Sequence, residues 1–348
     1  MRTRTLDLFS GIGGFSWAMK PICQTVAYCD IEPASRNVIQ DKIDRNMLED
    51  APIYSDVCQI KKRTLRALKP TMITAGFPCT DISIANIQGE GLHGPRSKLF
   101  FEIIRIIDEC PSPIKVVFLE NSHAIVKRGF EDVQEAFHAR GFELAWCIIH
   151  ASDAGALHRR KRWYCIAYRP SIAPRLQLLP ETSLTYPWNT EPCTRVIRKP
   201  KNKQLKEHCI MRCRMLGNSI VPQCAAHAWN TLVQAIQVSV SQRQAVQNPI
   251  PVIPLACRKL QLVITDGEKT FRRAAWATPC YSIWHIYSHI TSSRAKTVLT
   301  VQVFFEQRTR INTGDKKEQF RKYLINPRFV EYLMGYPLDW TNMSTTDA

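Results

Sequence analysis

The chain has 348 residues, 45% of them hydrophobic, enough for one large domain with a real core and one smaller domain. Its 47 lysines and arginines outnumber 30 acids, so the formal net charge of +17 calls for an anionic partner. No apolar run is long enough to span a bilayer, the 13 cysteines lack the paired spacing of a secreted framework, and a strand pattern begins almost at once, so no signal peptide is expected. A reducing, cytoplasmic compartment is the natural expectation.

Thr5 to Phe9 reads as a short strand running into Ser10-Gly11-Ile12-Gly13-Gly14-Phe15, with a helix pattern through Met19. A strand, a glycine turn and a helix N-terminus form a nucleotide-binding βα unit, although an isolated turn of this kind equally fits a tight connection with no ligand. Thr25 to Ile31 reads as a second strand closed by Glu32. Glu32 lies about twenty residues beyond the glycine turn, where an acid binds ribose hydroxyls in Rossmann-type folds; it also suits the start of the helix opened by Pro33. Ile53 to Val57 is a third strand-like segment, and its Asp56 could take the exocyclic amine of an adenine or cap the next helix.

Met72 to Gly76 is an apolar run that reads as a buried strand, and it delivers Phe77-Pro78-Cys79-Thr80. A cysteine at the carboxyl end of such a strand sits where open α/β sheets bind ligands, and a thiol there is a nucleophile if its surroundings favour thiolate. Thr80 to Leu99 carries Gly89, Gly91, Gly94 and Pro95, so its length and composition suit a mobile lid before an amphipathic helix over Lys98 to Ile107. Ile114 to Leu119 is another buried strand, and Glu120-Asn121-Ser122 at its end opens into the same crevice as Cys79 or caps the following helix.

His158-Arg159-Arg160-Lys161-Arg162 precedes the apolar run Trp163 to Ala167 and reads as a solvated edge or an anion site. Pro170 to Pro200 reads as an irregular connection, and Arg195 to Arg214, with Arg198, Lys199, Lys201, Lys203 and Lys206, as a basic linker tracking phosphate. Lys61-Lys62-Arg63 is a further basic cluster. His208, Cys209 and Cys213 lack a second ligand pair, so no metal is expected. The turn Leu216-Gly217-Asn218-Ser219-Ile220-Val221-Pro222 leads into a helix pattern over Ala225 to Val238, then a linker over Ser241 to Pro254. Short β-like runs follow at Leu260 to Ile264 and Thr297 to Val303.

Taken together, Asp7 to Phe15, Glu32, Asp56-Val57, Gly76 to Cys79, Glu120-Asn121, Arg160-x-Arg162 and Leu216 to Pro222 resemble the C5-cytosine DNA methyltransferases that depend on S-adenosyl-L-methionine. The resemblance implies an α/β fold with a Rossmann-like, mostly parallel sheet and a smaller, β-rich recognition region. It implies a catalytic domain over 1–185, a basic linker over 186–214, a Gly-Asn-Ser motif and helix packing back over 215–240, and target recognition over 241–348. In the reaction so implied, Cys79 attacks C6 of a cytosine flipped out of duplex DNA, Glu120 acts at N3, and Arg160 and Arg162 hold the base and position Glu120 or the thiolate. Phe9, Gly11, Gly13, Glu32, Asp56, Val57, Pro78, Asn218 and Ser219 would contact the cofactor. A monomer is expected, with double-stranded DNA as partner, a cognate restriction endonuclease as a candidate second partner, and bacterial cytoplasm or a virus-infected host cell as its place.

The chain departs from the family pattern in three ways. Thr80 follows the cysteine and His158 stands two residues before the first arginine, where the family has glutamine; both keep hydrogen-bonding ability. The interval from Arg169 to Leu216 is too short for the usual recognition domain, an arrangement similar to phage and viral members with that region moved to the C-terminus. Phe329 to Pro337 resembles the motif that normally follows recognition, which puts recognition itself between about Ser241 and Arg328. Two rival readings are a tRNA-directed cytosine-5 methyltransferase, whose Cys-Phe-Thr tripeptide is absent, and a DNA-binding homologue with impaired catalysis.

Overall fold

The strand-forming runs are apolar on both faces, the pattern of a sheet covered by helices on each side. A computed structural model describes residues 2–78, 99–180, 188, 193–198, 200–247, 259–266, 269–276, 302–304 and 323–343. Its main sheet contains β1 (Thr3–Leu8), β2 (Cys23–Cys29), β3 (Ile53–Tyr54), β4 (Met72–Ala75), β5 (Val116–Ser122), β6 (Glu143–His150) and β7 (Lys161–Tyr168). The strands lie in the order β3-β2-β1-β4-β5-β7-β6. Parallel pairing joins β3, β2, β1, β4 and β5, while β7 runs antiparallel between β5 and β6. The α/β, mostly parallel architecture expected from the sequence is therefore present.

Helices α1 (Gly14–Met19), α2 (Pro33–Asp44), α3 (Lys62–Leu68), α4 (Phe100–Glu109), α5 (Ile125–Arg128) and α6 (Phe130–His138) alternate with these strands. Alternate residues of β5 divide between two cores: Val116 and Phe118 pack with Phe15, Val38, Ile39 and Trp229, whereas Val117 and Leu119 pack with Ile103, Ile106, Val133 and Phe137. The aliphatic face of α4 supplies Ile103, Ile104, Ile106 and Ile107 at helical spacing, so burying that face is what fixes the helix on the sheet.

Several boundaries differ from expectation. β1 ends at Leu8 because Phe9 adopts φ 53, a left-handed conformation that leaves the strand. β2 stops at Cys29, two residues short of Ile31, and only Ile53 and Tyr54 pair in β3, after which Val57–Gln59 tightens into a 3₁₀ turn. β5 runs on through Ser122, since antiparallel pairing with β7 holds its end. Glu120 is thus a strand residue.

Much of the basic linker expected over 186–214 is helical, in α7 (Lys203–Asn218), which runs on into the expected Gly-Asn-Ser turn; Asn202 opens it, its side chain accepting from Leu205 N at 3.1 Å. The linker expected over Ser241 to Pro254 is helical as far as Gln247, in α8 (Pro222–Gln247). The chain returns later: β8 (Val196–Arg198) pairs antiparallel with β12 (Tyr323–Ile325), and α9 (Pro327–Leu333) follows. β9 (Lys259–Asp266), β10 (Lys269–Trp276) and β11 (Gln302–Phe304) form a small antiparallel sheet ordered β10-β9-β11, which includes the β-like run at Leu260 to Ile264. Of the run Thr297 to Val303, only Gln302 and Val303 fall within the described residues, and of the expected lid over Thr80 to Leu99 all but Leu99 lies outside them. Among the described residues no helix is long and apolar enough to cross a membrane.

Candidate active site

In an open α/β sheet, ligands bind beyond the carboxyl ends of the strands where the strand order reverses, here between β1 and β4. The glycine turn occupies that point. Ser10 ties it to β2: its N–H donates to Cys29 O at 3.0 Å, and its hydroxyl accepts from Cys29 N at 3.1 Å. Gly11 has φ +55 and a Cβ there would meet nothing within 4 Å, so the turn faces open space. Gly13, with φ +82, is close-packed instead; a Cβ would fall 2.7 Å from Leu48 Cδ1. The left-handed φ of Phe9, a non-glycine residue, is the kind of strained backbone that persists only where its surroundings hold it.

The acids near this turn are not equivalent. Asp30 accepts from Gly11 N at 2.7 Å and from Glu32 N at 2.9 Å, and burial raises its carboxyl above the usual range despite those two bonds. Glu32, the residue singled out by the spacing argument, is the exposed N-cap of α2 and its side chain makes no capping bond. Asp56 caps the following turn, accepting from Cys58 N at 2.8 Å, next to buried Val57. Asp30 and the 80% exposed Ile31 were missed by sequence reasoning. A spacing of about twenty residues cannot separate position 30 from position 32.

On the other side of the switch point, β4 leads into Gly76-Phe77-Pro78. Asn121 Nδ2 donates to Phe77 O at 3.1 Å, and a Cβ on Gly76 would lie 3.5 Å from Glu120 Oε2. The base of the Cys79 segment is therefore fastened to β5 beside Glu120; Cys79 and Thr80 themselves lie outside the described residues. Glu120 is buried, and Arg162 Nε lies 2.9 Å from its Oε1. The register explains the pair: Arg162 faces Ser122 and Tyr164 faces Glu120, so Arg162 and Glu120 are diagonal neighbours on one face. No N–H is aligned on Oε1 as a hydrogen bond, so charge holds it. Burial raises the Glu120 carboxyl above its ordinary range, with Arg162 and Arg160 pulling the other way.

Arg160 sits just before β7 and points elsewhere. Its guanidinium donates to Gly217 O at 2.7 Å and Ser219 O at 2.6 Å, closing the carboxyl end of α7. Asn218 is the exposed last residue of α7, and buried Ser219 donates its hydroxyl to Leu216 O at 2.8 Å. His158 meets Leu333 O through Nε2 at 2.8 Å, and burial lowers its pKa. The sequence brought Arg160 and Arg162 together as one pair; the structure separates them, with Arg162 on Glu120 and Arg160 on the Gly-Asn-Ser turn.

The returning C-terminal segment also reaches the site. Tyr336 OH donates to Ile220 O at 3.2 Å and Trp340 Nε1 donates to Ile12 O at 2.9 Å. Gly14 permits this approach: a Cβ would collide with the Tyr336 hydroxyl and lie 2.7 Å from Ile220 Cγ1. Among the described residues no group of three or more His, Cys, Asp or Glu gathers to hold a metal.

A family model described as C-5 cytosine-specific DNA methylase matches residues 3–347. The chain is 32% identical over 234 residues to the type II methyltransferase M.CviJI of Paramecium bursaria Chlorella virus IL3A, covering 67% of this chain and 60% of that protein. It is 31% identical over 180 residues to the type II methyltransferase M.HhaI of Haemophilus parahaemolyticus, covering 49% of this chain and 50% of that one. Among solved structures, the Entamoeba histolytica methyltransferase EhMeth aligns with a TM-score of 0.43 and 18% identity over 48% of this chain and 53% of that chain. The chain thus spans 60% and 50% of the two type II relatives' lengths. With a family match running from residue 3 to residue 347, the chain belongs to the C-5 cytosine-specific DNA methylases.

Proposed function

We propose that this chain is a DNA (cytosine-5-)-methyltransferase, acting on a cytosine flipped out of duplex DNA through a covalent bond from Cys79 to C6. The observation that carries the reading is the junction of β4 and β5: a buried carboxyl group, Glu120, with Arg162 Nε 2.9 Å from its Oε1, beside the Phe77-Pro78 turn that delivers Cys79. Cytosine C5 is a poor nucleophile until a thiolate adds at C6. That addition places negative charge on the ring, and an acid at N3 must meet it. Glu120 suits the task because burial keeps its proton at higher pH than an ordinary carboxylate. Arg162 keeps the acid oriented and limits how far its pKa rises.

In this reading Cys79 Sγ bonds to C6 while Glu120 gives its proton to N3, leaving C5 enamine-like. S-adenosyl-L-methionine supplies a methyl group on a sulfonium, which C5 takes up. A base, often water in the family, then removes the C5 proton; the C6–Sγ bond breaks, the C5–C6 double bond returns, and Glu120 recovers its proton from N3. The turn residues fit such a cofactor. Gly11 opens onto empty space, Ile31 exposes an apolar side chain, Asp30 accepts from Gly11 N–H, and Glu32 and Asp56 are carboxylates just past the ends of β2 and β3. Gly13, Pro78, Asn218 and Ser219 are the further residues this reading assigns to the cofactor. Extracting the base from the stack costs a few kcal/mol, and the chain's charge of +17 favours the phosphates around it.

The test is methyl transfer from labelled S-adenosyl-L-methionine to unmethylated duplex DNA, with tRNA and a Cys79→Ser variant alongside. Label recovered as 5-methylcytosine in duplex DNA, and lost in Cys79→Ser, is the expected result. Label confined to tRNA, or retained in Cys79→Ser, overturns the reading.

A further inference from the structure

We propose that Trp340 is a positioning residue for the cofactor turn, so that the segment returning after the recognition region completes the cofactor site. The inference rests on the cofactor reading above. Trp340 stands 328 positions beyond Ile12 in the chain, yet its indole Nε1–H donates to Ile12 O at 2.9 Å. Ile12 is the central residue of Gly11-Ile12-Gly13, whose flanking glycines have φ +55 and +82. A turn built on two left-handed glycines has many conformations open to it. Three tethers reduce that choice: Ser10 to Cys29, Gly11 N–H to Asp30, and Ile12 O to Trp340. The first two come from β2 and the residue following it. Within the turn Gly13 N–H donates to Ser10 O at 2.9 Å, so among the described residues the third is the one bond that reaches the Ile12–Gly13 peptide from outside the turn.

The indole is itself held rigidly. Trp340 is 1% exposed, its ring lies 5.0 Å from Trp17 and 5.3 Å from Tyr336, and the Lys42 ammonium sits 5.6 Å from its centroid. The segment around it is keyed by Thr341, whose N–H donates to Glu331 Oε1 at 2.8 Å. Gln223 Nε2 donates to Gly335 O at 2.7 Å and Tyr336 OH to Ile220 O at 3.2 Å, so the same segment also braces the turn that carries Asn218 and Ser219. Indole nitrogen is a donor only, which suits a carbonyl partner that must be turned away from the ligand hollow.

Trp340→Phe removes the donor and keeps an aromatic ring. Binding of S-adenosylhomocysteine is measured by titration calorimetry for wild type and variant, together with KM for S-adenosyl-L-methionine, KM for DNA and kcat. A rise of about five- to tenfold in the dissociation constant and in the cofactor KM is expected, with kcat at saturation and the DNA KM unchanged. Equal affinities in two folded proteins overturn the proposal while leaving the cofactor reading intact; a wild type that binds no S-adenosylhomocysteine overturns both. Should Trp340→Phe fail to fold, the Trp340 indole N–H resonance of ¹⁵N-labelled wild-type protein decides. It is expected to shift on adding S-adenosylhomocysteine, and an unmoved resonance overturns the proposal.

Discussion

Arg160 and Ser219 lie 59 residues apart and are joined by a 2.6 Å bond from a guanidinium nitrogen to a buried turn's carbonyl. A second nitrogen donates to Gly217 O, so the cation sits against the carbonyls that end α7, where a helix terminus favours positive charge. Glu120 and Arg162 are the next charges inward. Arg160 therefore ties the Gly-Asn-Ser turn to the strand that carries the acid's partner.

Replacing Arg160 by alanine leaves two carbonyls without their charged donor, and stability is expected to fall by about 1–3 kcal/mol. Lysine keeps the charge but cannot span both oxygens, so Arg160→Lys should lie between wild type and alanine. Urea denaturation of the three proteins checks the order. Cofactor affinity should fall in the same order, whereas a residue acting only on the base would leave cofactor affinity untouched.

Glu120 gives a sharper separation between stability and turnover. Its folded-state pKa is raised, so the stability linked to its protonated form is present below the unfolded pKa and lost as pH rises through the folded one. Glu120→Gln removes that loss and should flatten the stability profile above the ordinary carboxylate range. The amide cannot pass a proton to N3 and take it back, so kcat is expected to drop by about 10²–10⁴. A variant that is both less stable at pH 8 and fully active would contradict the assignment. Chemical denaturation across pH, paired with single-turnover assays, makes the measurement.

Asp7 is a second buried acid, away from the reacting atoms. It accepts from Ser16 Oγ and Thr74 Oγ1, each at 2.7 Å, and Thr25 Oγ1 donates to Ser16 Oγ at 3.0 Å. Burial outweighs these bonds and pushes its pKa from 3.8 to about 6. Between those values the folded protein holds a proton that the unfolded chain has released, so stability declines as pH rises. The rise corresponds to roughly 3 kcal/mol lost from this group by pH 7. Asp7→Asn should abolish that slope, seen as a smaller fall in urea midpoint between pH 4 and pH 7 than in wild type.

Much of this was legible in the chain because it rests on local signals. Apolar runs gave the strands, Gly11 and Gly13 gave the turn, and Glu120 lay at the edge of the run Val116 to Leu119. What escaped reading depends on pairing across the sheet or on distant partners. The choice between Asp30 and Glu32 turns on which carboxylate meets Gly11 N–H, and the different duties of Arg160 and Arg162 turn on the β5–β7 register. The helix α7 was hidden by its charges: Lys203, Lys206 and Arg214 read as a basic linker tracking phosphate, while buried Cys209, Arg212, Met215 and Leu216 form the face that packs. Arg212 has no local signal at all, since its partner lies 119 residues away.

That partner, Glu331, is fully buried and completely satisfied. Oε1 accepts from Arg212, from Thr341 N–H and from the Thr341 hydroxyl, and Oε2 accepts from Asp339 N–H at 2.7 Å. The pair joins α7 to α9 in a single register; Glu331 relies on Arg212 for its charge partner, while Arg212 has a second, half-exposed carboxylate in Asp339 at 3.5 Å. Removing one partner strands the other, a loss of about 3–5 kcal/mol in comparable buried pairs. Glu331→Ala is therefore expected to be severely destabilising, Arg212→Ala comparably so, and the double variant Arg212→Met/Glu331→Leu milder than either, because it leaves no unpaired charge. A thermal or urea double-variant cycle tests this. Additive losses would mean that the two charges do not support one another, and that the C-terminal segment is held by its other bonds, from Trp340, Tyr336, Gln223 and His158, and by the surrounding apolar contacts.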